Sequence, residues 1–216
     1  MFPKRVWAFP FSEKQVYLTF DDGPIPEVTP WVLDLLKKHQ AKATFFCIGD
    51  NIRKYPELSR RIIAEGHAIG NHTFHHLNGW KTKPRNYIEN VLKAEAEITN
   101  CNSSFVNRQS SIVNHTSLFR PPYGRLTSKQ AKQLQEKGYK IIMWDVLSAD
   151  FDTDISEEKC FENVSKNIRL GSIIVFHDSL KAENNLRYAL PKIIDFISEK
   201  RWKCAPISIE EHNIQY

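Results

Sequence analysis

The sequence predicts an α/β fold in which parallel strands alternate with helices. Two observations support this prediction: short runs rich in β-branched and aromatic residues recur along the chain, and a helical pattern of apolar residues follows nearly every run. The 216 residues suffice for one well-packed domain and are few for two. Repeated strand–helix units imply parallel strands joined by right-handed crossovers, in an open doubly wound sheet or in a closed barrel. Periodicity alone leaves both architectures open.

About seven strand–helix units follow one another along the chain. The predicted strands are QVYLTF at 15–20, KATFFCIG at 42–49, HAIGN at 67–71, SLFR at 117–120, KIIMWDV at 140–146, SIIVFHD at 172–178 and WKCAPIS at 202–208. The predicted helices cover 28–39, 56–66, 86–98, 128–138, 158–168 and 185–200. The first of these places Val28, Val32 and Leu36 on one face. The first strand has no glycine-rich phosphate loop after it, which disfavours a dinucleotide-binding sheet.

One polar tract, at 100–117, interrupts this alternation and is rich in Asn and Ser. We expect it to be a surface insertion, because long irregular segments inside a compact domain usually lie at the surface. The single domain would then have its core at about residues 16–207. We assign no function to the insertion.

Composition and charge exclude several classes of protein. The net charge of +5 comes from 30 basic and 25 acidic residues that are scattered along the chain, without the run of like charges typical of nucleic-acid-binding arms. The four cysteines lie far apart with no C-x-x-C pair, so we expect mostly buried, reduced thiols. No run reaches the ~20 apolar residues of a membrane span. The N-terminus lacks the apolar core of a signal peptide, so the sequence as written predicts a cytoplasmic protein; a trimmed exported form would look the same.

Polar side chains collect at the C-terminal ends of five predicted strands. In parallel strand–helix architectures these ends meet on one rim, where functional residues gather. The motifs are TFDDGP after the first strand, IGNHTFHH after the third, LFRPPYG after the fourth, WDVLSADF after the fifth and VFHDS after the sixth. Each has an ordinary structural explanation on its own, because Asp, Gly and Pro favour turns and a lone H-x-x-x-H pair is usually a coincidence. Their co-occurrence at successive strand ends predicts a functional site.

His72 and His76 are the candidate metal ligands. On one helical turn, residues four apart lie on the same side and can bind one metal ion. A zinc-protease helix has a glutamate after its first histidine, but Thr73 stands there in this chain. The general base must therefore come from another strand, and Asp21 or Asp22 can supply it. Neighbouring side chains of a strand point to opposite faces, so one carboxylate can complete the metal site while the other accepts a proton from water.

Together, these motifs resemble those of the NodB-type polysaccharide deacetylases, carbohydrate esterase family 4, over nearly the whole chain. Five segments carry the resemblance, in the family's order: TFDDGP at 19–24, HTFHH at 72–76, RPPYG at 120–124, DF at 150–151 and VFH at 175–177. The last two stand where the family usually reads Asp-Trp and Leu-x-His. The fold that the resemblance implies is a distorted (β/α)7 barrel in a single domain.

The resemblance also implies catalytic roles. Asp21 would be the catalytic base, and Arg120 would hold it in place. His177, oriented by Asp150, would be the general acid. Tyr123 would contribute its backbone N–H to the oxyanion hole and line the substrate pocket.

A metal and a pocket wall follow from the same resemblance. Asp22, His72 and His76 would bind one divalent metal ion, most often zinc. Phe151 and Val175 would line the substrate pocket with Tyr123, and they replace the tryptophan and leucine that are common in the family. Both replacements keep the wall apolar.

The activity that the resemblance implies is metal-dependent removal of the N-acetyl group from an N-acetylated amino sugar of the N-acetylglucosamine type, by attack of metal-bound water on the amide carbonyl. An O-acetyl carbohydrate esterase is the nearest alternative, because such a metal site does not discriminate an amide from an ester. A catalytically idle carbohydrate-binding protein is a third reading, although it would need no base, ligands and acid together. The expected partner is an acetylated carbohydrate.

Overall fold

The computed structural model describes residues 5–10, 14–103 and 118–208. Within these residues the chain forms eight strands and seven helices. The strands are Gln15–Asp21 (β1), Ala43–Cys47 (β2), Ala68–Asn71 (β3), Leu118–Phe119 (β4), Lys140–Ile141 (β5), Val146–Leu147 (β6), Ile173–His177 (β7) and Lys203–Cys204 (β8). The helices are Thr29–Lys38 (α1), Gly49–Lys54 (α2), Pro56–Ala64 (α3), Pro84–Ser103 (α4), Ser128–Glu136 (α5), Glu157–Ser165 (α6) and Glu183–Glu199 (α7).

All eight strands run parallel in one curled sheet. Their spatial order is β5-β4-β3-β2-β1-β7-β6, with β8 beside the start of β1. The N-terminal segment lies between the two ends of this path, because Val6 bridges Ile142 just after β5 and Ala8 bridges Ser172 just before β7. The predicted distorted (β/α)7 barrel in a single domain is therefore confirmed.

The central strand, β1, is buried on both faces, which explains why its sequence is a nearly continuous apolar run. Phe20 points towards the helices, and its ring stacks on those of Phe45 and Phe176 at centroid distances of 5.0 and 6.2 Å. Tyr17 packs in a different cluster on the other face. Asp21 shares the face of Tyr17, because side chains alternate along a strand. β1 therefore brings Asp21 to the C-terminal end of the barrel interior.

The predicted single strand at 140–146 is wrong. The chain forms two short strands there, of which β5 pairs with β4 and β6 pairs with β7. The partner strands β4 and β7 lie next to opposite ends of the strand order. The chain between β5 and β6 must therefore cross from one edge of the sheet to the other. Ile142, at the break, pairs with the N-terminal segment instead. An apolar run of this length does not reveal such a crossing.

Two helices also differ from the sequence prediction. α2 was not predicted. The predicted strand at 42–49 runs into the first residue of this helix, Gly49, whereas β2 ends at Cys47. α4 is longer than the predicted helix at 86–98 and includes residues 100–103 of the predicted insertion. The rest of that insertion, residues 104–117, lies outside the described residues.

The four cysteines are free thiols and three of them are buried, as predicted. Burial raises the pKa of Cys160 and Cys204 to about 12, so these thiols stay protonated near neutral pH. In the described part of the chain, no helix is both long and apolar enough to cross a bilayer.

Candidate active site

A cavity of about 530 Å³ opens at the C-terminal ends of the strands. Its wall consists of Asp21, Asp22, His72, His76, Tyr123, Gly124, Trp144, Leu147, Phe151, Val175, His177 and Lys181. Two further predicted residues, Arg120 and Asp150, are completely buried and contact wall residues from behind. The structure thus brings every residue that the sequence selected to one place.

Asp22, His72 and His76 present three ligand atoms that lie within 4.8 Å of one another. Asp22 Oδ1 is 3.1 Å from Nε2 of His76 and 3.7 Å from Nε2 of His72. The same oxygen is buried and has no hydrogen-bond partner among the described residues. A carboxylate oxygen without a hydrogen-bond partner, beside two imidazole nitrogens, is a donor set that divalent metal ions use, so these residues fit such an ion.

Hydrogen bonds behind the two imidazoles orient them towards this point. Nδ1 of His72 lies 2.8 Å from the carbonyl oxygen of Arg120. A carbonyl only accepts, so Nδ1 carries the proton and the lone pair of Nε2 faces Asp22. Nδ1 of His76 lies 3.1 Å from the hydroxyl of Tyr123. Such outer contacts orient the ring plane of a histidine, and the carbonyl partner of His72 also fixes its tautomer.

The protonation states of His72 and Asp22 suit metal binding. Burial lowers the pKa of His72 to about 4, so its ring is neutral near neutral pH. Burial alone would raise the pKa of Asp22, but the close contact with Nε2 of His76 and the charges of the nearby histidines hold it well below its usual range. Asp22 and His72 therefore offer a carboxylate and a neutral ring nitrogen, with no added proton to displace.

The backbone around the triad differs from both local predictions. His72 and His76 do not lie on a helical turn: residues 72–76 form a loop in which Thr73 and His76 have φ values of 63° and 53°. Asp21 and Asp22 do not face opposite sides, because Asp22 leaves the strand with φ 80° and its carboxylate also reaches the cavity. Positive φ is unfavourable for residues with a Cβ, so tertiary contacts must hold these turns.

Two asparagines supply part of that support, and neither was predicted as a site residue from the sequence. The side-chain oxygen of Asn71 accepts the N–H of Thr73 at 2.9 Å. The side-chain oxygen of Asn90, on α4, accepts the N–H groups of Phe74 and His75 at 2.8 and 3.0 Å. The only signal in the sequence was a polar residue at the end of a buried strand.

Asp21 forms a buried ion pair with Arg120. The carboxylate Oδ1 lies 2.8 Å from Nη1 of the guanidinium, which also donates to the hydroxyl of Thr19 at 2.7 Å. The other donors of Arg120 bond the carbonyls of Met143 and Ile142 at 2.8 and 3.3 Å. The guanidinium is thereby fixed from several sides. Asp21 Oδ1 is occupied by this cation.

The second carboxylate oxygen of Asp21, Oδ2, faces the Asp22–His72–His76 triad. Asp21 Oδ2 lies 4.0 Å from Nε2 of His72. A water molecule next to the triad would be within reach of this oxygen. The geometry suits a carboxylate that accepts a proton.

His177 and Asp150 form the second buried pair. Nδ1 of His177 lies 2.7 Å from Asp150 Oδ1, and the backbone N–H of His177 donates to Asp150 Oδ2 at 2.7 Å. Burial acts to lower the pKa of His177, but the charge of Asp150 and this hydrogen bond, helped by Asp21 and Asp22, raise it to about 9. The imidazole therefore carries a proton near neutral pH that it can donate through Nε2.

The rest of the wall is mainly apolar. Tyr123 is 61% exposed, and the edge of Phe151 meets the ring of His177 at a centroid distance of 5.0 Å. Val175 lies at the base of the cavity, almost completely buried. Trp144 was not predicted as a wall residue, because the predicted strand at 140–146 has no break that would turn its ring into the wall. Leu147, in the same WDVLSADF motif, and Lys181 were not predicted as wall residues either.

The polysaccharide deacetylase family model matches residues 9–142, which is more than half of the chain. The chain belongs to the polysaccharide deacetylase family. The predicted resemblance is therefore confirmed, and the chain is a member of a family of enzymes that hydrolyse amide bonds. The roles of the individual residues stay predictions.

Individual relatives are similar over most of the chain. It is 38% identical over 178 residues to a peptidoglycan-N-acetylglucosamine deacetylase of Bacillus cereus, a match that covers 82% of this chain and 61% of the relative. It is 34% identical over 168 residues to a chitooligosaccharide deacetylase of Azorhizobium caulinodans, covering 77% and 75% of the two chains. A crystal structure of the Bc1960 peptidoglycan N-acetylglucosamine deacetylase matches with a TM-score of 0.84 at 33% identity, covering 94% and 90%.

Proposed function

We propose that this protein removes the N-acetyl group from an N-acetylated amino sugar of the N-acetylglucosamine type, using one divalent metal ion, most simply Zn²⁺. The observation that carries the proposal is the meeting of three groups in one cavity: the Asp22–His72–His76 triad, a carboxylate paired with a cation, and an imidazole paired with an anion. The names of the relatives support the class of substrate, since they act on N-acetylglucosamine and on chitooligosaccharides.

The triad would hold the metal ion. Two imidazole nitrogens and one carboxylate oxygen form a donor set typical of catalytic zinc sites, which leave positions open for water and substrate. A divalent ion there would supply a positive charge that polarises the acetyl carbonyl and makes the attacking water more acidic. The Bc1960 relative was crystallised with a benzamide that carries a hydroxyl on its amide nitrogen, a hydroxamate, and hydroxamates bind metal ions through two oxygens.

Asp21 would act as the general base. Its Oδ1 is held by Arg120, and its Oδ2 faces the triad, so the water that attacks the carbonyl can pass its proton to Oδ2. Arg120 contributes by fixing the carboxylate, because each of its bonds to Thr19, Met143 and Asp21 restricts the guanidinium further. Removal of a general base typically costs 10²- to 10⁴-fold in rate.

His177 would act as the general acid. The nitrogen of an amide is a very poor leaving group until it is protonated, and the imidazolium of His177 holds a proton at the wall of the cavity. Asp150 bonds Nδ1, which leaves Nε2 to donate. Tyr123 would contribute its backbone N–H to the developing oxyanion. The proton that Asp21 takes from water and the proton that His177 gives to nitrogen complete the hydrolysis to acetate and amine.

An acid of this kind favours an amide substrate over an ester. An ester's leaving oxygen needs less help from a proton than an amide's nitrogen does. The buried Asp150–His177 pair is therefore more useful for N-deacetylation than for O-deacetylation. A carbohydrate-binding protein would need neither buried pair.

Acetate release tests the proposal. The full chain, loaded with Zn²⁺, is incubated with N-acetylglucosamine oligomers, with peptidoglycan glycan strands and with an O-acetylated xylan, and acetate is measured enzymatically. We expect release from at least one of the two amide substrates, loss of activity with a chelator, and recovery with Zn²⁺. Release from the xylan alone would make the protein an O-acetyl esterase, and tight glycan binding without any release would make it a binding protein.

A further inference from the structure

Asp178 is a buried carboxylate for which the proposed reaction has no use. It follows His177 at the end of β7, is 1% exposed, and does not line the cavity. Its Oδ1 accepts the backbone N–H of Gly23 at 3.1 Å, and its Oδ2 accepts the hydroxyl of Thr29 at 2.5 Å. The hydroxyl of Thr29 in turn accepts the N–H of Ile25 at 2.8 Å, so its own hydrogen is free to point at Asp178.

These bonds enclose the turn that carries Asp22. The backbone N–H of Asp178 donates to the carbonyl of Asp21 at 3.1 Å, on one side of Asp22, and the carboxylate accepts from Gly23 on the other side. Thr29 extends the same network from α1 to Ile25. Asp22 is therefore flanked by two contacts with one residue, Asp178: a backbone bond to Asp21 and a side-chain bond to Gly23.

Asp22 needs this support because its φ is 80°. A residue with a Cβ adopts such a conformation only when its surroundings impose it, at a cost of order 1–3 kcal/mol. Gly23 allows the carboxylate to come close, since a Cβ at this position would lie 2.0 Å from Asp178 Oδ2. Asn51 and Ile48 add two bonds from the α2 side, to the carbonyls of Asp22 and Gly23 at 2.8 and 3.0 Å.

The buried carboxyl of Asp178 has no cation beside it in the described part of the chain, and burial raises its pKa to about 8. Among the described residues it takes part in no ion pair, and its contacts are two neutral donors. Asparagine in its place could accept the Gly23 N–H through its amide oxygen, but its amide nitrogen cannot accept the Thr29 hydroxyl.

We propose that Asp178 is a positioning residue of the metal site: it fixes the turn after β1 through Gly23 and Thr29, so that Asp22 Oδ1 faces the two imidazole nitrogens before the cation arrives. This inference rests on the metal site of the proposed function. Outer contacts of this kind typically change metal affinity by 10- to 100-fold.

The test measures Zn²⁺ affinity of the full chain by competition with a chelating dye, together with the melting temperature of the metal-free protein. We expect Asp178→Asn and Thr29→Val each to weaken Zn²⁺ binding by about 10- to 100-fold. Thr29→Ser keeps the hydroxyl and should bind within about threefold of the unmodified chain, a margin small beside the 10-fold effect expected of outer contacts.

Asp145 provides a matched control at the other end of β7. Its carboxylate also accepts one backbone N–H and one hydroxyl, from Ile173 at 2.8 Å and Ser172 at 3.0 Å, and it differs from Asp178 in pairing with Arg169 at 3.5 Å. Asp145→Asn should lower the melting temperature and leave Zn²⁺ affinity unchanged. Equal losses of affinity in Asp145→Asn and Asp178→Asn, or unchanged affinity in both Asp178→Asn and Thr29→Val, would overturn the proposal.

Two further results distinguish a failure of the Asp178 proposal from a failure of the metal site itself. If Asp178→Asn does not fold, Thr29→Val decides alone, because valine preserves the shape of the threonine side chain and removes only its hydrogen bonds. If the unmodified chain binds Zn²⁺ and His72→Ala does not weaken that binding, the metal site itself is wrong, and the Asp178 proposal is overturned with it.

Discussion

Two buried ion pairs stand side by side at the ends of β1 and β7, and they are arranged in opposite senses. Asp21 and His177 are direct register partners on these two parallel strands. Asp21 is paired with the fixed cation of Arg120, whereas His177 is paired with the fixed anion of Asp150. A buried ion pair therefore supports a proton acceptor at the end of β1 and a proton donor at the end of β7. Environments that separate a base from an acid in this way are a general route to acid–base catalysis near neutral pH.

The two pairs differ in the contacts that hold the buried partner, Arg120 or Asp150, in place. Arg120 has bonds to three backbone or hydroxyl oxygens besides Asp21, so it is a rigid support. Asp150 accepts from Ser148 and from the N–H of Phe151 as well as from His177. In both pairs the partner is completely buried and the group facing the cavity retains one unbonded atom for chemistry.

The largest expected effect separates Asp21 from its neighbour Asp22. Asp21→Asn should retain the metal and lose 10²- to 10⁴-fold in acetate release, because the water loses its proton acceptor. Asp22→Asn should lose metal affinity instead, and excess Zn²⁺ should restore part of its activity. Metal content and acetate release are measured on the same preparations.

Asp34→Asn is the control for this pair, since it removes an exposed carboxylate that contacts Arg61 on the outside of the barrel. It should change neither quantity. If Asp21→Asn and Asp22→Asn lost metal to the same degree and were rescued alike, the division of labour between the two carboxylates would be wrong.

The next effect concerns the acid. His177→Ala should lower amide deacetylation by about 10²-fold, the lower end of the range for a general acid, because water can reach the vacated position. Hydrolysis of an activated aryl acetate should fall less, since its leaving group departs without a proton. Metal content should not change. His39→Ala, which alters a histidine beside Asp195 far from the cavity, is the control.

Equal losses on the amide and on the aryl ester would show that His177 does not act chiefly as a proton donor. Unchanged amide activity would remove this residue from the reaction. Either result would break the parallel between the two pairs.

The smallest effect concerns the wall beside the acid. Phe151→Trp enlarges the ring that meets His177 edge-on and should change KM for an oligosaccharide by about two- to tenfold, in line with the ~0.5–1.5 kcal/mol of an aromatic contact. kcat should stay within about threefold, since the ring carries no proton. Steady-state kinetics on a graded series of oligomers checks this, and a kcat loss as large as that of His177→Ala would place the ring in the acid's own machinery.

Sequence patterns predicted which strand ends meet, because parallel strand–helix units bring those ends to one rim whatever the details of each turn. They predicted the turns wrongly. The loop with His72 and His76 and the turn at Asp22 depend on positive-φ residues held by side-chain contacts. Asn71 acts locally on Thr73, but Asn90 and Asp178 come from other elements of the chain. Local periodicity carries no information about them.

The break between β5 and β6 escaped prediction for a similar reason. An apolar run at 140–146 fits one strand as well as two, and only the closure of the sheet decides that its halves pair with β4 and β7. Trp144 enters the cavity wall through this break. The acids, bases and ligands at the strand ends were found by their chemistry, and Tyr123, Phe151 and Val175 through the resemblance. Trp144, Leu147 and Lys181 were not singled out by either route.

The pH dependence of kcat/KM for amide deacetylation tests the opposed pairs most directly, measured for the metal-loaded chain and for Asp150→Asn. His177 must be protonated to act, so activity should fall as the pH rises through its pKa, which Asp150 raises to about 9 and a bound cation would lower. Asparagine can still accept from Nδ1 but carries no charge, so the alkaline limb of the Asp150→Asn profile should move to lower pH while the acid limb stays in place. An alkaline limb at the same pH in both proteins, or a shift confined to the acid limb, would contradict the account.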